Sequence, residues 1–136
     1  MNPACKDITS FLVMDILERA QAIEAAGHRV IHLEIGEPDF DMPECVKEAA
    51  RKAVTDGHTH YTHSLGLLAL RQAICDLHAR EYGVSLTPDR VLVTGGTSPA
   101  MLLAFGAMAV PGEHILLTDP AYACDPNFLR FTGLTP

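Results

Sequence analysis

The chain has 136 residues, 48% of them hydrophobic and 20% charged, with 10 glycines and 9 prolines in no regular period. That composition excludes disordered, collagenous and coiled-coil chains and allows a core of ordinary domain size. The formal net charge is −7 and no face gathers Lys or Arg, so neither nucleic acid nor an anionic membrane has an electrostatic footing.

Taken in chain order, Val13, Ile16, Leu17, Ala20 and Ile23 recur at helical spacing and predict an amphipathic helix over Ser10–Ala26, capped by Thr9 or Ser10 and ended by Gly27. Val30–Ile35 alternates as a short strand and runs into the loop Gly36-Glu-Pro-Asp-Phe40. Pro43 then occupies a first-turn position, and Val46, Ala49, Ala50, Ala53 and Val54 form one apolar stripe of a second helix ending at Asp56-Gly57. Leu67, Leu70, Ile74 and Leu77 mark a third helix closed by Gly83.

After a turn at Thr87-Pro88-Asp89, Val91–Thr94 predicts a strand, Gly95-Gly96-Thr97-Ser98 a loop, and Pro99–Val110 a helix apolar on every side and therefore buried on every side. Pro111-Gly112 turns the chain into a further strand, Ile115–Thr118, stopped by Asp119-Pro120 and followed by a last amphipathic segment with Phe128, Leu129 and Phe131. Strand, loop, buried helix, strand is the pattern of an α/β sheet, and so few strands predict the first part of a larger fold. The longest apolar stretch, Pro99–Pro111, is too short to span a bilayer, and no signal-peptide pattern precedes it, so a cytoplasmic protein is expected. Cys5, Cys45, Cys75 and Cys124 form no C-x-x-C pair and are expected as free thiols.

Gly95-Gly96-Thr97-Ser98 lies between a strand and a helix, where free amides and the helix dipole suit a phosphate and the Thr97 and Ser98 hydroxyls add donors. Ser98 acting only as a helix cap is the competing reading. A P-loop is excluded because no lysine follows Lys52. The dinucleotide fingerprint is incomplete, although Asp119 stands where a ribose-binding acid would. His58, His60 and His63 have no carboxylate or cysteine at ligand spacing, so surface histidines around a buried Tyr61 are expected rather than a metal site. Glu37, Asp39 and Asp41 flank prolines and are read as turn and helix-start residues.

Order and spacing together are more specific than any one piece. Ile35-Gly-Glu-Pro-Asp-Phe40, Tyr61-Thr-His-Ser-Leu-Gly66 with Leu70-Arg71, Val93-Thr-Gly-Gly-Thr-Ser98 and Asp119-Pro-Ala-Tyr122 resemble the N-terminal portion of the class I/II aminotransferases. These are fold type I enzymes dependent on pyridoxal 5′-phosphate (PLP). The resemblance implies an α/β fold with an incomplete mixed sheet and flanking helices. Residues 1–30 would be the N-terminal helical segment of the small domain, and 31–136 the beginning of the large PLP-binding domain. It implies that Gly36 presents its backbone to a substrate carboxylate, that Gly96, Thr97 and Ser98 hold the cofactor phosphate, and that Tyr122 stacks on the pyridine ring. Tyr61 would reach the phosphate of a neighbouring subunit's cofactor, which implies a homodimer.

The implied reaction moves an amino group between an amino acid and a 2-oxo acid. It needs a Schiff-base lysine, which in this family lies beyond residue 136. Lys6, Lys47 and Lys52 match no catalytic position, so these residues by themselves are expected to be inactive. A PLP-dependent lyase or decarboxylase of the same fold, a dinucleotide-binding module and a non-catalytic docking protein are the alternatives.

Overall fold

The structure is a computed structural model and describes residues 6–136. Five helices run in order: α1 (Leu12–Ala25), α2 (Glu44–Thr55), α3 (Leu68–Tyr82), α4 (Thr97–Met108) and α5 (Asp125–Phe131), with a 3-10 turn at Pro88–Arg90. They belong to two compact units, one built from the residues up to Pro38 together with Gly96–Pro136, the other from Asp39–Gly95.

In the first unit, α1 starts later than its hydroxyl residues suggest. Its N-cap is Phe11, with no side-chain cap bond. Thr9 and Ser10 are engaged elsewhere: Ser10 Oγ donates to Asp15 Oδ2 at 2.6 Å, Thr9 N donates to Asn127 Oδ1 at 3.3 Å, and Asn127 Nδ2 donates to Thr9 O at 2.9 Å. The other end of the helix matches expectation. Gly27, at φ 89°, donates to Glu24 O and His28 N to Ile23 O, the paired bonds that close a helix through a left-handed residue.

α4 packs on α5. Leu129 of α5 is fully buried and Leu134 and Ala20 nearly so, which makes them the core of this unit. The expectation of an α4 buried on every side is not met: no residue of α4 is buried, and Leu103 and Met108 are exposed. An apolar helix needs a neighbour on each side, and among the described residues α5 is the one helix that packs on it.

In the second unit, Pro43 is the N-cap of α2 rather than its first residue, and the stripe of Val46, Ala49, Ala50, Ala53 and Val54 carries no buried residue. Gly57 closes this helix as Gly27 closes α1, through bonds from Gly57 N to Val54 O and His58 N to Ala53 O. α3 ends at Gly83 in the left-handed conformation and supplies the buried Cys75 and Arg71.

The expected strands Val30–Ile35, Val91–Thr94 and Ile115–Thr118 do not pair into a sheet among the described residues. One isolated parallel bridge joins His114 to Thr135, with Ile115 N donating to Thr135 O at 2.9 Å and Thr135 N to Glu113 O at 2.9 Å. In the segment before the glycine loop, Val93 N donates to Leu65 O at 3.0 Å. A β-rich run becomes a strand only against a neighbour that takes its backbone groups. Cys45, Cys75 and Cys124 are free thiols, while Cys5 lies outside the described residues. Among the described residues no helix is long and apolar enough to cross a membrane.

Candidate functional site

The glycine loop leads directly into the N-terminus of α4. Gly96 is the N-cap of α4 at φ 107° and ψ −179°, a combination in which a side chain would be strained. A Cβ built on it would meet nothing within 4 Å. Thr97 and Ser98 are the first two residues of α4 and are exposed, followed by Pro99. Ser98 therefore lies inside the helix and does not cap it, which overturns the cap-only reading. Its amide and that of Thr97 stand at the positive end of the helix dipole beside two hydroxyl donors.

Gly36 and Tyr122 come together in the same unit. Both line a cleft of ≈ 380 Å³ whose walls include Phe11 and Met14 at the start of α1 and Glu34 and Ile35. Phe11 meets Tyr122 edge-on, with ring centroids 6.2 Å apart and planes at 77°. That contact leaves the tyrosine half exposed and able to present a face to a flat ring. Hydrogen bonding with Cys124, with the nearby Asp125 charge adding to it, holds the Tyr122 phenol above its ordinary pKa. Gly36 also has open space where a Cβ would stand. Gly96, Thr97 and Ser98 form a separate feature of this unit at the head of α4.

Tyr61 belongs to the second unit and is fully exposed, which corrects the expectation that it is buried. It lines a surface pocket of ≈ 390 Å³ with His58, His60, Thr62 and Leu67. The loop behind it is fixed: Gly66 N donates to His63 O at 2.7 Å and Leu65 N to His63 Nδ1 at 3.1 Å. Arg71 is 7% exposed; its Nε donates to Gly66 O at 3.1 Å and its Nη1 to Pro88 O at 2.8 Å. Gly66 has φ 96°, and a Cβ there would lie 2.7 Å from Val93 Cβ.

Lys47 and Lys52 are paired charges. Lys47 Nζ lies 3.5 Å from Asp41 and 3.6 Å from Glu44, and Lys52 Nζ lies 2.6 Å from Asp56. A cluster absent from the sequence reading joins Glu24, His32 and Glu34: His32 Nε2 lies 3.1 Å from Glu24 Oε1 and its Nδ1 2.5 Å from Glu34 Oε1. Its visible signal is the H-x-E alternation within the expected strand Val30–Ile35.

The fold is the N-terminal part of the fold type I, PLP-dependent transferase fold. The family model for aminotransferase class I and II matches residues 28–136, and the chain belongs to that family. It is 43% identical over 127 residues to a (5-formylfuran-3-yl)methyl phosphate transaminase of Methanocaldococcus jannaschii, covering 93% of this chain and 34% of that protein. It is 35% identical over 136 residues to a bifunctional aspartate aminotransferase and glutamate/aspartate-prephenate aminotransferase of Petunia hybrida, covering 100% and 28%. Among solved structures, an alanine aminotransferase from Pyrococcus furiosus superposes with a TM-score of 0.91 at 37% identity, over 100% of this chain and 35% of that one. The chain thus spans about a third of the length of the relatives it matches.

Proposed function

We propose that these residues are the N-terminal part of a PLP-dependent aminotransferase that moves an amino group between an amino acid and a 2-oxo acid. The observation that carries this reading is the pair of exposed hydroxyl residues Thr97 and Ser98, which follow the Gly96 N-cap at the head of α4 within the stretch that the aminotransferase family model matches. The donor set fits the group: a phosphate dianion is matched by helix-terminal amides and hydroxyls, and an aromatic ring by the half-exposed Tyr122. When bound, PLP supplies the electron sink that lets an amino group leave one carbon skeleton and join another.

The chain's own residues bind and orient. Gly96, Thr97 and Ser98 would hold the phosphate, Tyr122 would pack on the ring, and Gly36 would offer backbone to the substrate carboxylate. Full exposure of Tyr61 suits a side chain that serves a neighbouring subunit, so a homodimer is part of the reading. Residues 1–30 are assigned to the small domain and 31–136 to the large one, and the enzyme is placed in the cytoplasm. Lys47 and Lys52 are ion-paired with surface carboxylates and match no Schiff-base position, so these residues alone are expected to be inactive.

The test is to complete the enzyme by joining these 136 residues to the remaining two-thirds of the Methanocaldococcus jannaschii relative. A visible cofactor absorbance band and amino transfer from aspartate or alanine to a 2-oxo acid are expected. A soluble, folded protein that takes up no PLP would contradict the proposal.

A further inference from the structure

Glu34, Ile35 and Gly36 form one wall of the Gly36 cleft, yet among the described residues no sheet holds the segment 30–36. Ile31 and Leu33 are 77% and 89% exposed. The alternate residues are the anchored ones. His32 bridges Glu24, on the last turn of α1, to Glu34, and Glu34 Oε2 accepts from Leu33 N at 2.9 Å. When protonated, the ring donates from both nitrogens, and one cation then joins two carboxylates. The Glu34 side chain is 8% exposed and faces the same cleft as Gly36, two residues further on. Phe11 and Met14, at the opposite end of α1, line that cleft too.

We infer that the Glu24–His32–Glu34 clamp sets the position of Gly36 relative to α1, making His32 and Glu34 positioning residues for the substrate carboxylate. The inference rests on the reading of Gly36 given above. Because side chains alternate along an extended segment, fixing 32 and 34 fixes which way the intervening peptides face, and with them the backbone that Gly36 offers. Neither residue takes part in the chemistry. Their contribution is geometric, and misplacing a binding group by about 1 Å can cost up to about 100-fold in rate.

The test uses the completed enzyme in its PLP-loaded form, with succinate as a carboxylate probe that carries no amino group, titrated through the cofactor's absorbance. His32→Leu removes the bridge, and Glu24→Ala cuts its attachment to α1 at an exposed helix position. Both variants should bind succinate about tenfold more weakly while cofactor content and thermal midpoint stay near those of the unmodified protein. Unchanged succinate affinity would overturn the inference, and so would losses that merely track loss of cofactor or of folding. If His32→Leu does not fold, Glu24→Ala decides the matter alone. An unmodified protein that binds PLP and succinate but transfers no amino group would refute the aminotransferase reading while leaving this comparison intact.

Discussion

Two loops carry proposed site residues, and they are held in place by different physics. The Tyr61 loop is secured by uncharged backbone acceptors around a buried cation: Arg71 reaches Gly66 O and Pro88 O, and Gly66 presses against Val93. The Gly36 segment is secured by an ionic bridge at the surface, from Glu24 through His32 to Glu34. The difference predicts opposite sensitivities. Removing a buried donor leaves acceptors unsatisfied and is costly whatever the salt or pH, whereas an exposed ionic bridge is screened and titrates.

The largest effect on folding is expected at Arg71. Arg71→Met leaves Gly66 O and Pro88 O without their donor and should cost about 3 kcal/mol, read by denaturant unfolding of the completed enzyme. Loss of under about 0.5 kcal/mol, the range of an ordinary surface change, would remove the contrast between the loops. Gly66→Ala should follow at about 2 kcal/mol, because the residue sits at φ 96° with Val93 Cβ in the way and strain of this kind costs about 1–3 kcal/mol. Raising the salt should leave both penalties nearly unchanged.

A smaller and pH-bound effect is expected from the clamp. Hydrogen bonding first to Glu34 and then to Glu24 raises the His32 pKa, and the bond from His32 lowers that of Glu34. For His32 the stabilisation is complete below its unfolded value of about 6.5 and is lost as pH rises through the raised folded value. For Glu34 it is present above about 4.3 and is lost as pH falls through the lowered folded value. The clamp contributes most between these limits, in mildly acidic solution. Thermal midpoints of the unmodified protein and Glu24→Ala should converge as the pH is raised past the His32 titration; a constant difference at alkaline pH would show that the bridge is not ionic.

Much of the helical framework was legible because its punctuation is local. Gly27, Gly57 and Gly83 close α1, α2 and α3 as their positions suggest, since a left-handed residue at a helix end is a local requirement. The strands were not legible as such: Val91–Thr94 and Ile115–Thr118 have strand composition, but pairing depends on neighbours that composition cannot supply. α4 reads as a buried helix for the same reason and is exposed here, in a chain about one-third the length of its relatives. At the site, Gly96 caps α4 and Gly36 and Tyr122 line one cleft. Tyr61 was misread because an aromatic side chain in a loop is ordinarily packed, and nothing local marks one that projects. Arg71 was visible only as part of a motif, and His32 only through the H-x-E alternation within Val30–Ile35. Each has one near partner, Gly66 or Glu34, and one more distant, Pro88 or Glu24, that the fold brings to it.

The central claim, that the head of α4 holds a cofactor phosphate, is tested most directly by the PLP dissociation constant of the completed enzyme with Thr97 and Ser98 both replaced by alanine. Each lost charge-assisted bond should cost about 1–3 kcal/mol, so affinity should fall at least about tenfold while the folding midpoint changes little. An unchanged dissociation constant in a folded double variant would contradict the account and leave these two hydroxyls without a part in cofactor binding.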